Sequence, residues 1–202
     1  ITGLPDFSHV ALTGSFNDLK DLPASFNRLD GCNTSIKTSC SVNMVCLADC
    51  LRIYDAVSNG EPYHIIVVFY DQINTTTKKV TNIIEIDLTN SRELLFGTIT
   101  RPQIEELDKE IKSIPKNRSP NEEEQKKIKS IQSALLALSG AVYLNPKIDS
   151  KTQRRLQCSF NKFQKFIELN PSRVVAKSNN NVFRGGVISL EIESARRTFA
   201  KK

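Results

Sequence analysis

The sequence predicts an α+β fold, with an antiparallel β-sheet core, one packed helix and an inserted αα-hairpin. Residues 62–71 form the most hydrophobic run of the chain and are rich in Ile, Val and aromatic side chains, which suit a buried strand. Residues 80–88 alternate apolar and polar side chains toward their end, as a hairpin partner of that strand does. Residues 101–139 instead carry two apolar stripes at helical spacing, each preceded by a helix-start signal.

The segments before the central strand predict further elements that pack against it. Residues 7–16 can form a strand, and residues 32–42 alternate in the manner of a half-buried strand. Residues 43–57 place apolar side chains at three-residue steps and predict a helix. Asn59-Gly60 ends this helix, because glycine suits the left-handed cap.

The middle of the chain predicts two helices in succession. Thr100 and Gln103 have the spacing of a capping box, and Pro115 stops the first helix. Ser119-Pro120 provides a cap and a first helical residue for the second helix, which ends near Gly140.

Shorter elements are predicted on both sides of the helical pair. Residues 93–99 predict a short strand that extends the hairpin. Residues 153–160 alternate like a strand, whereas the phenylalanines that follow have helical spacing. Residues 182–193 predict one continuous strand with a bulge at Gly185-Gly186.

The chain length fits one domain. Its 202 residues, 39% of them hydrophobic, are enough for one core, so we predict a single domain over residues 1–202 with residues 101–139 as a helical excursion within it. One stripe of the helical pair can bury the other, or the stripes can face a neighbouring subunit. The residues predicted to serve self-association are Leu107, Ile128 and Leu135.

Charge is unevenly distributed along the chain. From Lys147 onward there are 13 Lys and Arg against 4 Asp and Glu, whereas residues 1–146 hold 15 against 18. A basic C-terminal third predicts an acidic partner, which can be nucleic acid, a membrane surface or an acidic protein; the alternative is a solvated basic face. The predicted contact residues are Arg154, Arg155, Lys162, Lys165, Arg196, Arg197, Lys201 and Lys202.

The sequence offers little for catalysis. It contains no phosphate-binding loop, dinucleotide fingerprint, hydrolase elbow or paired-histidine metal motif, so we predict a protein that is not an enzyme and uses no metal or cofactor. Five cysteines in a chain of this size predict reduced thiols rather than a disulfide framework. The alternatives are a dyad of Cys46 or Cys50 with His64, and a zinc site formed by Cys40 with the same three residues.

The order of these segments resembles the matrix proteins of rhabdoviruses. The resemblance covers residues 32–71 and 182–193: a strand, a helix, the turn Gly60-Glu61-Pro62-Tyr63 into a hydrophobic strand, and a late strand entered through Phe183-Arg184-Gly185. The Pro-Pro-x-Tyr budding motif of the animal-virus members is absent from this sequence, and the helical excursion is an addition. A plant-infecting member fits this pattern better.

The resemblance implies a structural protein without enzymatic activity. Such a protein self-associates and bridges a helical nucleocapsid to the inner face of the viral envelope, so the implied partners are itself, the viral nucleocapsid protein and anionic membrane. The implied location is the virion beneath the envelope, and in the host the cytoplasm or nucleus and the inner membrane face. The alternative function is that of a coat or nucleocapsid protein, in which the same basic residues bind RNA.

Overall fold

The computed structural model describes residues 33–149 and 153–193, which form an α+β fold as predicted. These residues group into two compact units. The described part of the first unit consists of residues 33–42, 62–87 and 170–193, and that of the second of residues 43–61, 88–149 and 153–169. The helical segment 101–139 lies in the second unit, and the predicted strand over residues 7–16 lies outside the described residues.

The elements follow one another along the chain with short connections. The strands are β1 (Asn33–Ser39), β2 (Val45–Asp49), β3 (Tyr63–Gln72), β4 (Thr77–Asp87), β5 (Val142–Lys147), β6 (Arg155–Phe160), β7 (Val174–Lys177), β8 (Val182–Phe183), β9 (Gly186–Val187) and β10 (Glu191–Glu193). The helices are α1 (Cys50–Ala56), α2 (Arg92–Phe96), α3 (Arg101–Ser113), α4 (Glu122–Leu136) and α5 (Phe163–Leu169), and a 3₁₀ turn covers Pro171–Arg173.

The first unit is built on the predicted hairpin of β3 and β4. Its sheet has the order β1-β3-β4-β10, and β7 also pairs with β4. The Asn74 carboxamide oxygen accepts the backbone N–H groups of Thr76 and Thr77 at 2.9 and 2.8 Å, which fixes the turn. The pairs are antiparallel except β1–β3, which is parallel, so the sheet is mixed.

The predicted continuous strand over residues 182–193 is wrong, because the chain reverses in its middle. Arg184 and Gly185 both have positive φ, 51° and 77°, as a two-residue primed turn requires, and they join β8 to β9. The prediction of a bulge at Gly185-Gly186 is therefore also wrong. Phe183 is fully buried in the core cluster with Ile66 and Ile83, so this small hairpin covers one face of the β3–β4 pair.

The second unit is a three-stranded antiparallel sheet of order β2-β6-β5. Helices α1 and α3 pack on β6, and α4 packs on β5. Alternate side chains of the strands are buried, among them Leu47, Leu144, Leu156 and Phe160, each with no more than 1% of its surface exposed. These residues and the helices form the core of this unit.

Two predicted elements of the second unit differ from the structure. The predicted helix over residues 43–57 begins as β2, because Ala48 adopts φ 118° at a bulge and the helix starts only after Asp49, whose carboxylate accepts the Arg52 N–H at 3.2 Å. The predicted strand over residues 93–99 is instead the short helix α2, which ends at Gly97 with φ 60°.

The αα-hairpin is confirmed as α3 and α4, which pack against each other. The Gln103 side chain accepts the Thr100 N–H at 2.9 Å, as the capping box predicts. The second helix begins later than predicted, because its cap is Asn121 rather than Ser119. The Asn121 side chain accepts the Glu124 N–H and the Glu124 carboxylate accepts the Asn121 N–H, both at 2.8 Å.

Side chains cover the outer edge of β5. The Ser139 hydroxyl donates to the Val142 carbonyl at 2.5 Å, and the Gln132 amide donates to the Leu144 carbonyl at 2.7 Å. Pro146 has no N–H to offer at the next outward position. Two outward carbonyls of this edge are therefore occupied and one outward N–H is missing, which interrupts the row of groups that an added strand would pair with.

Candidate anion-binding surface on helix α5

Helix α5 is held in the second unit by aromatic packing. The ring of Phe160 on β6 contacts the rings of Phe163 and Phe166, with centroid separations of 5.4 and 4.8 Å. Ile167 is buried beside them, and the Phe163 N–H donates to the Asn43 carbonyl at 3.0 Å. One side of the helix is thus fixed in the core, and the opposite side faces solvent.

The solvent side of α5 carries an arrangement that we call the α5 surface, made of Lys162, Lys165 and Leu169. Lys162 lies directly before the helix, and its carbonyl accepts the Phe166 N–H at 2.9 Å, so the spacing of the three residues places them on one side. Both lysines are exposed, neither forms an ion pair with the described residues, and 69% of Leu169 is exposed. The acidic residue of α5, Glu168, accepts a hydrogen bond from Gln164 at 3.2 Å. Two unpaired ammonium groups beside an exposed aliphatic side chain suit a partner that is both anionic and apolar.

A second exposed apolar side chain adjoins the start of α5. Met44 follows Asn43, whose carbonyl accepts the Phe163 N–H, and 57% of Met44 is exposed. Exposed apolar side chains thus occur at both ends of the helix.

Arg154 does not belong to such a surface, and its predicted contact with an acidic partner is wrong. It is 5% exposed, and its guanidinium donates to the carbonyls of Ile114, Pro115 and Arg118 at 3.2, 2.8 and 2.6 Å. These acceptors belong to the loop between α3 and α4. Arg154 therefore supports the end of the helical hairpin from inside the protein.

The other predicted basic residues lie in different places. Lys165 is exposed on α5 and Lys162 is exposed directly before it, whereas Arg155 is half-buried on β6. The remaining four lie outside the described residues, so their role stays a prediction: Arg196, Arg197, Lys201 and Lys202.

The predicted self-association residues lie in the core instead. Leu107, Ile128 and Leu135 have 0, 3 and 4% of their surfaces exposed. Their helices pack against each other and against β5 and β6, so the apolar stripes of both helices are buried within one protomer. The prediction that these three side chains face a neighbouring subunit is wrong.

A buried charged network lies in the first unit, around Glu85. Its carboxylate has no exposed surface and interacts with His64 Nδ1 at 2.8 Å and Arg184 Nε at 2.6 Å. His64 Nε2 lies 3.7 Å from an Asp87 carboxylate oxygen. The alternation of the sequence predicts Glu85 to point to solvent, but Arg184 on the β8–β9 turn covers it. His64 is thus a hydrogen-bonded structural histidine, and its Nδ1 is engaged by Glu85.

The cysteines also differ in their surroundings. Cys46 is exposed on β2, whereas Cys50 and Cys158 are fully buried. Hydrogen bonding with the Cys50 thiol, together with burial, raises the pKa of the Cys158 thiol well above its ordinary value. Cys158 therefore stays protonated and unreactive. Within the described ranges, no group of three or more His, Cys, Asp or Glu side chains is placed to hold a metal ion.

Several cations near the helical hairpin are already paired. Arg118 hydrogen-bonds the Glu124 carboxylate with two nitrogens at 2.7 and 2.6 Å. This interaction and the Asn121 N–H lower the pKa of Glu124 to about 2. Arg101 pairs with Asp55 at 2.8 Å, which raises the pKa of its guanidinium. These arginines thus have acidic partners, whereas Lys162 and Lys165 have none among the described residues.

Comparisons with protein-family models, with curated proteins and with solved structures found no match for this chain. In the part of the chain that the structure describes, no helix has the length and apolar character needed to cross a bilayer.

Proposed function

We propose that the protein is a structural, matrix-type protein that binds the inner face of an anionic membrane and bridges it to a nucleocapsid. The observation that carries the proposal is the α5 surface, where Lys162 and Lys165 are unpaired beside the exposed Leu169. Lysine charges attract acidic headgroups, and the leucine side chain can enter the interface between headgroups and acyl chains.

The attachment of one protomer through this surface is weak. Each lysine near an anionic membrane contributes about 1 kcal/mol. Full burial of a leucine side chain contributes about 1.5–3 kcal/mol, and Leu169 has 69% of its surface available. The sum is about 3–4 kcal/mol, which corresponds to a dissociation constant in the millimolar range.

Weak attachment of one copy favours a protein that works in arrays. When several copies are joined, each further contact becomes intramolecular and the overall affinity rises steeply. Self-association is therefore part of the proposal, because it converts a reversible contact into a stable layer on the membrane.

The surroundings of three titratable side chains also favour a binding role over a catalytic one. His64 and Glu85 are engaged in the buried network, and Cys158 is a protonated thiol in the core. Each of these groups has a structural partner, and none of the three lies on the α5 surface.

Flotation with lipid vesicles tests the proposal. The protein is expected to float with vesicles that contain about a third phosphatidylserine at low salt, and to dissociate as salt screens the lysines. The double variant Lys162→Glu and Lys165→Glu should remain at the bottom of the gradient. The matched control, Lys109→Glu and Lys126→Glu, changes the net charge equally at exposed positions of α3 and α4 and should still float.

The apolar contribution is tested separately by Leu169→Ser. This variant should bind vesicles more weakly at every salt concentration without a change in salt dependence, because no charge is altered. Wild-type protein that fails to float with anionic vesicles would contradict the proposal. RNA binding that is lost in the Lys162→Glu and Lys165→Glu variant would then favour the alternative function of a coat or nucleocapsid protein.

A further inference from the structure

The sheet of the second unit has a second face, opposite the helices. Strand register places Tyr143, Asn145 and Lys147 of β5 on this face, opposite Ser159, Gln157 and Arg155 of β6. We call these residues, without Ser159, the open face. Tyr143 is 36% exposed, and the other four are half-buried. The open face therefore presents one aromatic ring, two amides and two cations. Beside it on β2 lie Cys46 and Asp49, whose carboxylate accepts the Arg52 N–H. The open face shares no residue with the α5 surface.

The pairing of Lys147 with Arg155 is unfavourable in isolation. The two residues are directly opposite in the ladder, and like charges in this position destabilise a sheet. Neither side chain has an acidic partner in the described ranges of the chain. Two cations held together without a counter-charge predict an anion that binds both.

An unsatisfied donor at the same place supports this interpretation. Arg155 Nε is buried and has no hydrogen-bond partner in the structure. A buried N–H without an acceptor costs about 1–3 kcal/mol, so a rotation of the Arg155 side chain that turns Nε outward onto a bound anion would recover this energy. The guanidinium group is also the side chain best matched in geometry to phosphate.

The other residues of the open face indicate which class of anionic ligand binds there. Tyr143 lies four residues from Lys147 along the same strand, about 13 Å away at the usual rise per residue. The amides of Asn145 and Gln157 lie between them. The Gln157 oxygen accepts the Cys46 thiol at 4.0 Å, so Gln157 can donate to a ligand through its NH₂ group, and Asn145 can donate and accept. We propose that the open face binds single-stranded nucleic acid, with a phosphate held by Lys147 and Arg155 and a base stacked on Tyr143.

A membrane fits the open face less well. The two amides would have to enter the lipid interface, where polar groups are costly to desolvate, and the face offers no exposed aliphatic side chain for insertion. A double-stranded nucleic acid supplies phosphates but keeps its bases stacked, so Tyr143 would gain nothing from it. A single strand can contact the two cations through a phosphate, the two amides through hydrogen bonds and Tyr143 through a stacked base.

Fluorescence anisotropy with a labelled 12-nucleotide oligouridylate, at rising salt, tests the proposal. Arg155→Gln should weaken binding and reduce the slope of log affinity against log salt by about 0.7, the value for one phosphate contact with a single strand. Tyr143→Ala should weaken binding about tenfold or more and leave the slope unchanged, because it removes stacking and no charge.

Lys147→Glu separates binding from folding. This variant replaces a repulsive cross-strand pair by an attractive one with Arg155, so it should unfold at a higher temperature than the wild type while losing oligonucleotide binding. Lys126→Glu on α4 is the matched control for charge and should bind nearly as the wild type does. Equal binding by the Lys147 and Lys126 variants overturns the proposal.

Competition experiments identify the class of ligand that binds the open face. Duplex RNA of the same length should compete less well than the single strand, and phosphatidylserine vesicles or a phosphopeptide should not displace it from the open face. Full displacement by millimolar inorganic phosphate, or preferential binding of any other competitor, overturns the assignment to single-stranded nucleic acid. The Lys162 and Lys165 variant should lose vesicle binding and keep the wild-type salt slope for the oligonucleotide, so the two proposals fail separately.

Discussion

Replacing Arg184 with leucine is expected to destabilise the first unit by about 3–5 kcal/mol, the usual cost of removing one partner of a buried ion pair. The Arg184 side chain is 9% exposed and the Glu85 side chain is 0% exposed, so solvent cannot replace the lost interaction. Glu85 would retain His64 as its partner but would remain a buried carboxylate without its guanidinium. Leucine and arginine are both strained by the left-handed backbone at φ 51°, so this strain does not contribute to the difference in unfolding free energy between the wild type and the variant.

A glycine variant separates the backbone contribution from the ion pair. Arg184→Gly loses the same guanidinium but relieves a left-handed strain of about 1–2 kcal/mol, so it should be less destabilised than Arg184→Leu by that amount. Glu85→Gln combined with Arg184→Leu removes the unpaired charge and keeps an oxygen for His64. The double variant should therefore cost less than the sum of the two single variants, by about 1–3 kcal/mol.

Denaturant unfolding measures these free energies, and hydrogen exchange locates them. Amides of the β8–β9 hairpin should exchange fastest in Arg184→Leu, since Arg184 ties this hairpin to Glu85 on β4. An unfolding free energy within 1 kcal/mol of the wild type, with unchanged exchange in the hairpin, would refute the reasoning that this buried pair holds the hairpin in place.

Three further predictions concern the second unit. Arg118 and the Asn121 N–H hold the pKa of Glu124 at about 2, below its ordinary value of 4.5, so these interactions contribute stability above pH 4.5 that is lost as pH falls toward 2. Glu124→Gln should flatten this part of the curve of stability against pH. Gly140→Ala should lower the unfolding free energy by about 1–3 kcal/mol in thermal or denaturant unfolding, because the added Cβ would lie 2.3 Å from the Leu94 carbonyl oxygen. Iodoacetamide at pH 8 should label Cys46 in the native protein and leave Cys158 unlabelled in mass spectra, since Cys158 is buried with a raised pKa.

Elements with one clear period were predictable from the sequence. The hydrophobic run of β3 and its alternating partner β4 form the expected hairpin, and the stripes and caps of residues 101–139 form α3 and α4. Prediction failed where a single residue interrupts the regular spacing of apolar side chains. Ala48 adds a bulge that hides the strand β2, and Arg184 takes a left-handed conformation that is rare outside Gly, Asn and Asp.

The candidate surfaces were predictable to different extents. The exposure of Lys162 and Lys165 follows from the helical spacing of the phenylalanines between and after them. The burial of Arg154 does not, because its acceptors at Ile114 and Pro115 are about 40 residues away in sequence. The opposition of Lys147 and Arg155 likewise depends on a strand register that composition does not reveal.

The covered edge of β5 limits how copies of this protein can join. An open edge lets sheets of separate molecules fuse into fibres, and such fusion is hard to reverse. With Ser139, Gln132 and Pro146 in place, a neighbouring chain would meet an interrupted row of backbone groups on this side of the second unit's sheet. This arrangement favours contacts between neighbours through side chains, and contacts of that kind can dissociate when a layer of protein has to come apart.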